Sequence, residues 1–261
     1  MKYPQRKPVE KFEGEEKDLV FGIRPVQEAL TAGKEIDKLY MQKGLTGDGS
    51  QEVIAKAREL HIHIHYVPKD RMDRITRKNH QGVVAFISPI RFQSLELLVP
   101  MIFEKGETPL FIILDRITDV RNMGAIIRTA VCAGAHGVVF PDQGAARVSN
   151  ETVRTSAGAA FSIPLCKVKS LTHACRYLQD SGIQLIGCTE KASKDIYGLD
   201  MKEPSAIILG SEEDGISEEL LKMCHQKGRI PLAGPIASLN VSVATGVVLF
   251  ESIRQRQTVS Q

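Results

Sequence analysis

The chain has 261 residues, 43% of them hydrophobic and 25% charged, enough for one large or two modest domains with a buried core. A net charge of only +3 announces no nucleic-acid partner by itself, and no apolar run reaches the length needed to cross a bilayer. Five cysteines (Cys132, Cys166, Cys175, Cys188 and Cys224) form no CxxC pair, a usage that fits reduced thiols in a cytoplasmic protein better than a disulfide frame.

Residues 1–18 are highly charged, poor in apolar side chains and without the apolar core of a signal peptide, so they predict a disordered tail. From Phe21 the pattern becomes regular. "RPVQEALTAG" predicts a short helix ending near Gly33, "IDKLYMQ" a strand, "SQEVIAKARELH" a helix, "IHIHYV" a strand and "GVVAFIS" another. Together these make a small α/β domain over 19–90. "SLELLVPMIFEKGE", within 91–107, predicts a helix linking it to the rest. Over 108–261 the short apolar runs "LFIILDRI", "GVVFP", "QLIGCTE", "AIILGS" and "GRIPLA" read as buried parallel strands. Helical patterns alternate with them at 122–133, about 150–158, 171–180, 217–225 and 239–256. Such alternation predicts a parallel sheet covered by helices on both faces.

Three stretches carry chemistry. In "LDRITDVRNMGAIIRTAVCAG" (114–134) a strand ends at Asp115, and a polar loop carries Arg116, Asp119, Arg121 and Asn122 before a helix starting near Met123. Loops at the carboxyl ends of parallel strands are where open sheets bind ligands. Arg128, set among Ala125, Ile126, Ile127 and Ala130, suits a phosphate, or else is a surface arginine of an amphipathic helix. In "IILGSEEDGIS" (207–217) a strand runs into Gly210, an acidic turn with Glu212, Gly215, and a helix capped by Ser217. Glycines there let the backbone approach a ligand, although an acidic turn capping a helix reads equally well. In "RIPLAGPIASLNVSVATGVVLFE" (229–251) a strand and a Gly-Pro loop precede a helix whose first turn holds Ser238, Leu239 and Asn240. Free backbone donors at that end favour a polar ligand, unless Ser238 caps them.

Other signals exclude or add. The alternation "HIHIH" sets His61, His63 and His65 on one side of a strand, but no cysteine or carboxylate cluster completes a metal site, and none is expected. P-loop, GxGxxG and GxSxG signatures are absent from the sequence. Between 69 and 91 lie Lys69, Arg71, Arg74, Arg77, Lys78 and Arg91 against only Asp70 and Asp73, a basic strip that could contact phosphates or be a solvated loop.

Taken in order, "NMGAIIRTA", "LGSEEDG" and "IPLAGPIASLNVSVA" resemble the three motifs of the SpoU (TrmH) family of RNA 2′-O-ribose methyltransferases. "FGIRPVQEAL" and "NHQGVVA" resemble the start and end of that family's N-terminal substrate-binding domain, so the likeness spans about 20–257. The resemblance implies a C-terminal trefoil-knotted (SPOUT-type) parallel-sheet domain, S-adenosyl-L-methionine as cofactor, a homodimer, and no metal or membrane. It implies ribose methylation in ribosomal RNA, with a layout similar to enzymes acting on a guanosine of 23S rRNA. A transfer-RNA enzyme, an adenosine-methylating relative and a non-catalytic ribosome assembly factor are the alternatives. Asn122, Arg128, Glu212, Ser238 and Asn240 match the family's catalytic positions. Thr189, Leu209, Gly210, Ile230, Leu232 and Leu239 match cofactor positions. Arg71, Arg74, Arg77, Lys78, Arg116 and Arg121 are the candidate RNA contacts. A free arginine titrates near about 12.5–13.8, so phosphate binding is a safer role for Arg128 than that of a base. One departure stands out: Glu213 follows the motif glutamate where relatives commonly carry glycine.

Overall fold

A computed structural model of the chain describes residues 18–235 and 238–257. Apart from Asp18, the expected tail lies outside the described residues. Two compact units meet at the Pro89–Ile90 junction.

The first unit follows the alternation of its strands. β1 (Leu19–Phe21), α1 (Ile23–Thr31), β2 (Ile36–Gln42), α2 (Asp48–Glu59), β3 (Ile64–Val67), α3 (Lys69–Ile75) and β4 (Val83–Ile87) build a four-stranded sheet in the order β1-β4-β2-β3. β2 and β3 run parallel, while β4 opposes β1 and β2. Leu39, Met41, Val83 and Ala85 point to the face covered by Val26 and Leu30 of α1 and Val53 and Ala57 of α2. Their neighbours Tyr40, Val84 and Phe86 point the other way, against Met72 of α3, as a period of two requires. Neither β1 nor α3 was legible in the sequence. "KDRMDRI" has only Met72 and Ile75 to mark a helical face, and it is held instead by His80. That buried imidazole meets the Asp73 carboxylate at 2.9 Å through Nε2 and accepts the Gly82 N–H at 3.0 Å through Nδ1. The histidine alternation also breaks: His61 has φ +55 and precedes the strand, leaving only His65 on it.

In the second unit α4 (Leu95–Glu104), β5 (Leu110–Leu114), α5 (Val120–Cys132), β6 (Gly137–Pro141), α6 (Asn150–Thr155), β7 (Leu165–Val168) and α7 (Leu171–Asp180) come first. β8 (Gln184–Cys188), β9 (Ser205–Leu209), α8 (Glu218–Met223), β10 (Gln226–Gly228) and α9 (Val241–Gln257) complete it. The six strands lie in the order β10-β8-β9-β5-β6-β7, every neighbouring pair parallel. Alternate residues of β5 feed two cores. Leu110, Ile112 and Leu114 pack with α5 and with Val248 and Leu249 of α9. Phe111 and Ile113 pack with α4, α7 and Leu220 of α8. Burial on both faces explains why these strands read as unbroken apolar runs.

Three details differ from the sequence reading. β7 escaped notice because Lys167 interrupts it; the ammonium lies 4.3 Å from the Phe92 ring centroid and 3.7 Å from Asp142. The last strand is Gln226–Gly228, earlier than "GRIPLA", and the chain leaves the sheet before Pro231, which has no N–H to give a ladder. α5 begins at Val120 because Asp119 accepts the Arg121 and Asn122 N–H groups at 2.7 and 3.0 Å. Gly124 lets α5 lie against α6, since a Cβ there would collide with the Thr155 side chain. At the far end of α9, Arg256 donates to the carbonyls of Thr108, Pro109, Met201 and Glu203, which fixes the helix and thereby its N-terminus.

Candidate active site at the strand ends

The strand order reverses between β5 and β9. From β5 the chain builds outward through β6 and β7, then returns to place β9 and β8 on the other side. The carboxyl ends of strands at such a switch point form a crevice, and the loops after β5, β8, β9 and β10 emerge there. A cavity of about 300 Å³ opens among them. All six sequence-predicted cofactor positions, Thr189, Leu209, Gly210, Ile230, Leu232 and Leu239, line it, and so do Glu212 and Ser238. Its size lies at the small end of ligand pockets.

Asn122, Glu212 and Asn240, more than a hundred residues apart in sequence at the extremes, converge on one hydrogen-bonded cluster. Asn122 Nδ2 donates to Glu212 Oε1 at 2.9 Å, and Asn240 Nδ2 donates to the same oxygen at 2.8 Å and to Asn122 Oδ1 at 3.0 Å. Asn240 Oδ1 in turn accepts the Ser242 N–H at 2.9 Å. The cap of α9 is therefore Asn240, and not Ser238 as one reading had it; the helix starts two residues later than the sequence pattern indicated. A polar mouth on an apolar helix thus has a local cause. One amide caps the helix with its oxygen and ties the first two motifs together with its nitrogen.

Arg128 behaves differently from its sequence context. The residues around it are apolar, but the buried positions of α5 are Met123, Gly124, Ile126, Ile127 and Ala130, so helical periodicity turns Arg128 to solvent. It makes no hydrogen bond or ion pair with a described residue. Arg121 is likewise exposed, 3.8 Å from Asp119. Arg71, Arg74, Arg77 and Lys78 are exposed on and just after α3.

Arg116, one of the expected RNA contacts, is half-exposed and also paired within the fold. Nε and Nη2 donate to the Asp115 carboxylate at 3.1 and 3.2 Å, Nη1 donates to Asp214 at 3.0 Å, and Nη2 donates to the Gly215 carbonyl at 2.9 Å. These bonds, Asp115 above all, hold its charge and push its pKa above the ordinary arginine value. Asp115 also accepts the Ser217 N–H at 2.6 Å, so the loop after β9 is pinned to the end of β5. Gly210 serves the same folding: a Cβ on it would collide with the Gly215 backbone. Its glycine is required by the loop closing on itself, before any ligand is considered. Glu213 is free of the left-handed backbone region, so its side chain replaces glycine there without φ strain.

Sequence reasoning missed Cys188, Glu190 and Ser211 as cavity walls. Glu190 was the findable one, because it stands two residues beyond the end of β8, where an open sheet presents its binding loops. Among the described residues no cluster of histidine, cysteine and carboxylate could hold a metal ion.

Parallel sheet, switch-point cavity and polar cluster define a ligand-binding α/β enzyme domain with its chemistry at the strand ends. Comparison with known proteins is specific. Residues 109–250 match the SpoU rRNA Methylase family, and residues 19–93 match the RNA 2′-O ribose methyltransferase substrate binding model. The chain is 36% identical over 242 residues to the 23S rRNA (guanosine-2′-O-)-methyltransferase RlmB of Photobacterium profundum, covering 92% of this chain and 98% of that protein. The crystal structure of the SpoU methyltransferase AviRb from Streptomyces viridochromogenes, in complex with AdoMet, is similar with a TM-score of 0.59 and 27% identity, over 92% of this chain and 90% of that one. An AdoMet-bound rRNA methyltransferase from Sinorhizobium meliloti gives 0.58 and 30% over 90% and 86%. The chain belongs to the SpoU rRNA methylase family and is an S-adenosylmethionine-dependent RNA 2′-O-methyltransferase.

Proposed function

We propose that this enzyme methylates the ribose 2′-hydroxyl of a guanosine in large-subunit (23S) ribosomal RNA. The observation that carries this reading is the Asn122–Glu212–Asn240 cluster, built from the three motifs at the edge of the cavity. The likeness to RlmB along nearly the whole chain supports the choice of substrate. When bound, the cofactor supplies a methyl group activated on a sulfonium. The cavity fits such a molecule: apolar Ile230, Leu232 and Leu239 can cover a flat base, while Gly210, Ser211 and Thr189 offer polar groups beside it.

The remaining work is positioning, which can contribute roughly 7–11 kcal/mol to a transfer of this kind. Asn122, Glu212, Ser238 and Asn240 orient the ribose. Arg128, exposed and without a described partner, binds the adjoining RNA phosphate and stabilises the alkoxide that forms as the hydroxyl gives its proton to solvent water. Residues 19–90 form the RNA-binding domain, with Arg71, Arg74, Arg77 and Lys78 on phosphates, and 108–261 the catalytic domain; the connecting 91–107 segment packs α4 into the catalytic core. Arg121, exposed in the first turn of α5, is the basic contact on the catalytic side.

The family's trefoil knot is assigned to the loops after β9 and β10 together with the Ser238–Asn240 turn; the bonds from Asn240 back to Glu212 support that assignment. A homodimer is proposed through the α9 side of this domain, where Val243 and Phe250 are both half exposed on one stripe, seven residues apart. The described helices are none of them long and apolar enough to cross a membrane, and a cytoplasmic setting follows from the RNA substrate.

The test is incubation with methyl-labelled S-adenosylmethionine and large-subunit, small-subunit or transfer RNA, with sites mapped by resistance to alkaline cleavage. A single protected guanosine in 23S RNA is the expected result. Protection only in transfer RNA would overturn the substrate and keep the chemistry. No label in any RNA, naked or in ribosomal particles, would overturn the reaction. Arg128→Ala is expected to lower methyl transfer about a hundredfold with cofactor binding intact; transfer at the wild-type rate would remove Arg128 from its role.

A further inference from the structure

The cavity wall is one-sided in charge. Glu190, Glu212 and Glu213 line it, and among the described residues no lysine, arginine or histidine does. Glu212 is engaged by the two asparagine amides. Glu213 is exposed and its carboxylate makes no hydrogen bond or ion pair with a described residue. Glu190 is exposed as well, and its carboxylate accepts only a long 3.5 Å bond from the neighbouring Thr189 hydroxyl among the described residues. Arg116 reaches the cavity wall at Gly215 but is already matched by two carboxylates, Asp115 and Asp214. The ionisable carboxylates on the cavity wall are thus unopposed by a basic side chain on that wall, and two of them make no ion pair with a described residue.

Resting on the reading of this cavity as the cofactor site, we propose that Glu213 and Glu190 are specificity-determining residues that select the methyl donor over its demethylated product by charge. S-adenosylmethionine carries a sulfonium, an ammonium and a carboxylate, a net +1. S-adenosylhomocysteine has lost the sulfonium charge and is neutral. The two ligands differ in little else that a cavity wall can read: one methyl group and one positive charge. Unengaged carboxylates facing the ligand attract the donor and are indifferent to the product, so each turnover removes the interaction that held the cofactor and assists product exchange. Glu213 stands where relatives commonly carry glycine and has no positive φ, so its side chain is accommodated without backbone strain.

The experiment is isothermal titration calorimetry of the full chain with S-adenosylmethionine, S-adenosylhomocysteine and sinefungin, an analogue with a protonated amine in place of the sulfonium. Wild type, Glu213→Gln, Glu190→Gln and the double variant are compared at low and high salt. One carboxylate at partly solvated range contributes about a three- to fivefold factor by Coulomb's law with an intermediate effective dielectric. Donor affinity is thus expected to fall about three- to fivefold in each single variant and about tenfold or more in the double. Sinefungin should fall with it, product affinity should stay within about twofold, and the donor preference should shrink with added salt. Equal losses for all three ligands would overturn the proposal, because the glutamates would then only shape the wall. An unchanged donor-to-product ratio in the double variant would overturn it too. Failure of wild type to bind any of the three would instead overturn the cofactor-site reading on which the proposal rests, a result distinct from the other two.

Discussion

Asn240 performs two separable tasks, and substitution can divide them. Its Oδ1 caps α9 by accepting the Ser242 N–H, while its Nδ2 donates to Glu212 and Asn122. Asn240→Ala removes both. Loss of the cap costs about 1 kcal/mol. The two amide bonds lie in an exposed cluster whose other members can turn to water, so each contributes about 0.5 kcal/mol, at the low end for a net hydrogen bond. The total is about 2 kcal/mol. Asn240→Ser keeps an oxygen able to cap but has no amide to reach the cluster, and should lose only about 1 kcal/mol. Both variants remove the Asn240 arm that ties the direct Asn122–Glu212 pair to α9, so both should lose methyl transfer by about tenfold or more. The chain has no tryptophan, so stability is best followed by far-ultraviolet circular dichroism in urea, alongside single-turnover methylation. If the serine variant matched alanine in stability, the cap assignment would fail. Wild-type methyl transfer by the serine variant would refute the role of the cluster.

Further outcomes follow from other parts of the same unit. Arg116 has φ +60, a left-handed conformation that glycine adopts freely, so Arg116→Gly should be more stable than Arg116→Ala by about 1 kcal/mol in urea unfolding, although both lose the clamp on Asp214 and Gly215. Gly124→Ala drives a methyl group into Thr155 and should destabilise by about 2 kcal/mol or more, with Thr155→Ala restoring part of the loss; an unchanged melting temperature would show that α5 and α6 can separate freely. Burial, the largest influence, lowers the pKa of His136 against the opposing pull of Glu107, 3.1 Å from its Nε2, while its Nδ1 accepts the Leu110 N–H at 3.0 Å. The unfolded chain therefore binds the proton first, so its contribution is complete above about pH 6.5 and declines as the pH falls below that value. Unfolding of wild type and His136→Gln between pH 7.5 and 5.5 should show a steeper loss in wild type. Burial raises the thiols of Cys166, Cys175 and Cys188 to about 12 and that of Cys224 to about 11, whereas Cys132 is exposed. A thiol reagent at pH 8 should accordingly label Cys132 first in the native chain, and the buried Cys166 and Cys175 only after unfolding.

What the sequence made legible was whatever depends on local periodicity. The strands β5, β6, β8 and β9 are continuous apolar runs because both faces are buried, and they stand out for that reason. β1 is three residues long, α3 is charged and short, and β7 carries a lysine sheltered by Phe92 and Asp142, so tertiary partners decide each of them. In the site, the three motifs carry the polar groups that meet in space, and all six cofactor positions fall on one cavity. Their order along the chain could not reveal that Asn240 caps its own helix while bonding a glutamate from another loop. Nor could an arginine at the end of a strand be seen as a clamp: Arg116 looks like any basic loop residue until Asp115 and Asp214 are placed beside it.

Arg116 and Arg128 illustrate how two arginines of one motif divide their work. The first is surrounded by carboxylates from its own fold, and its charge holds the loop that carries Glu212 and Glu213 against the end of β5. The second stands exposed on the outer face of α5, where its charge is available to a ligand from solution. An RNA phosphate meeting both would find one guanidinium already matched and one still open. The same logic applies to Glu212, Glu190 and Glu213 in the cavity. Two asparagines engage the first carboxylate as a structural tie, and the other two face the cavity with their charge in play.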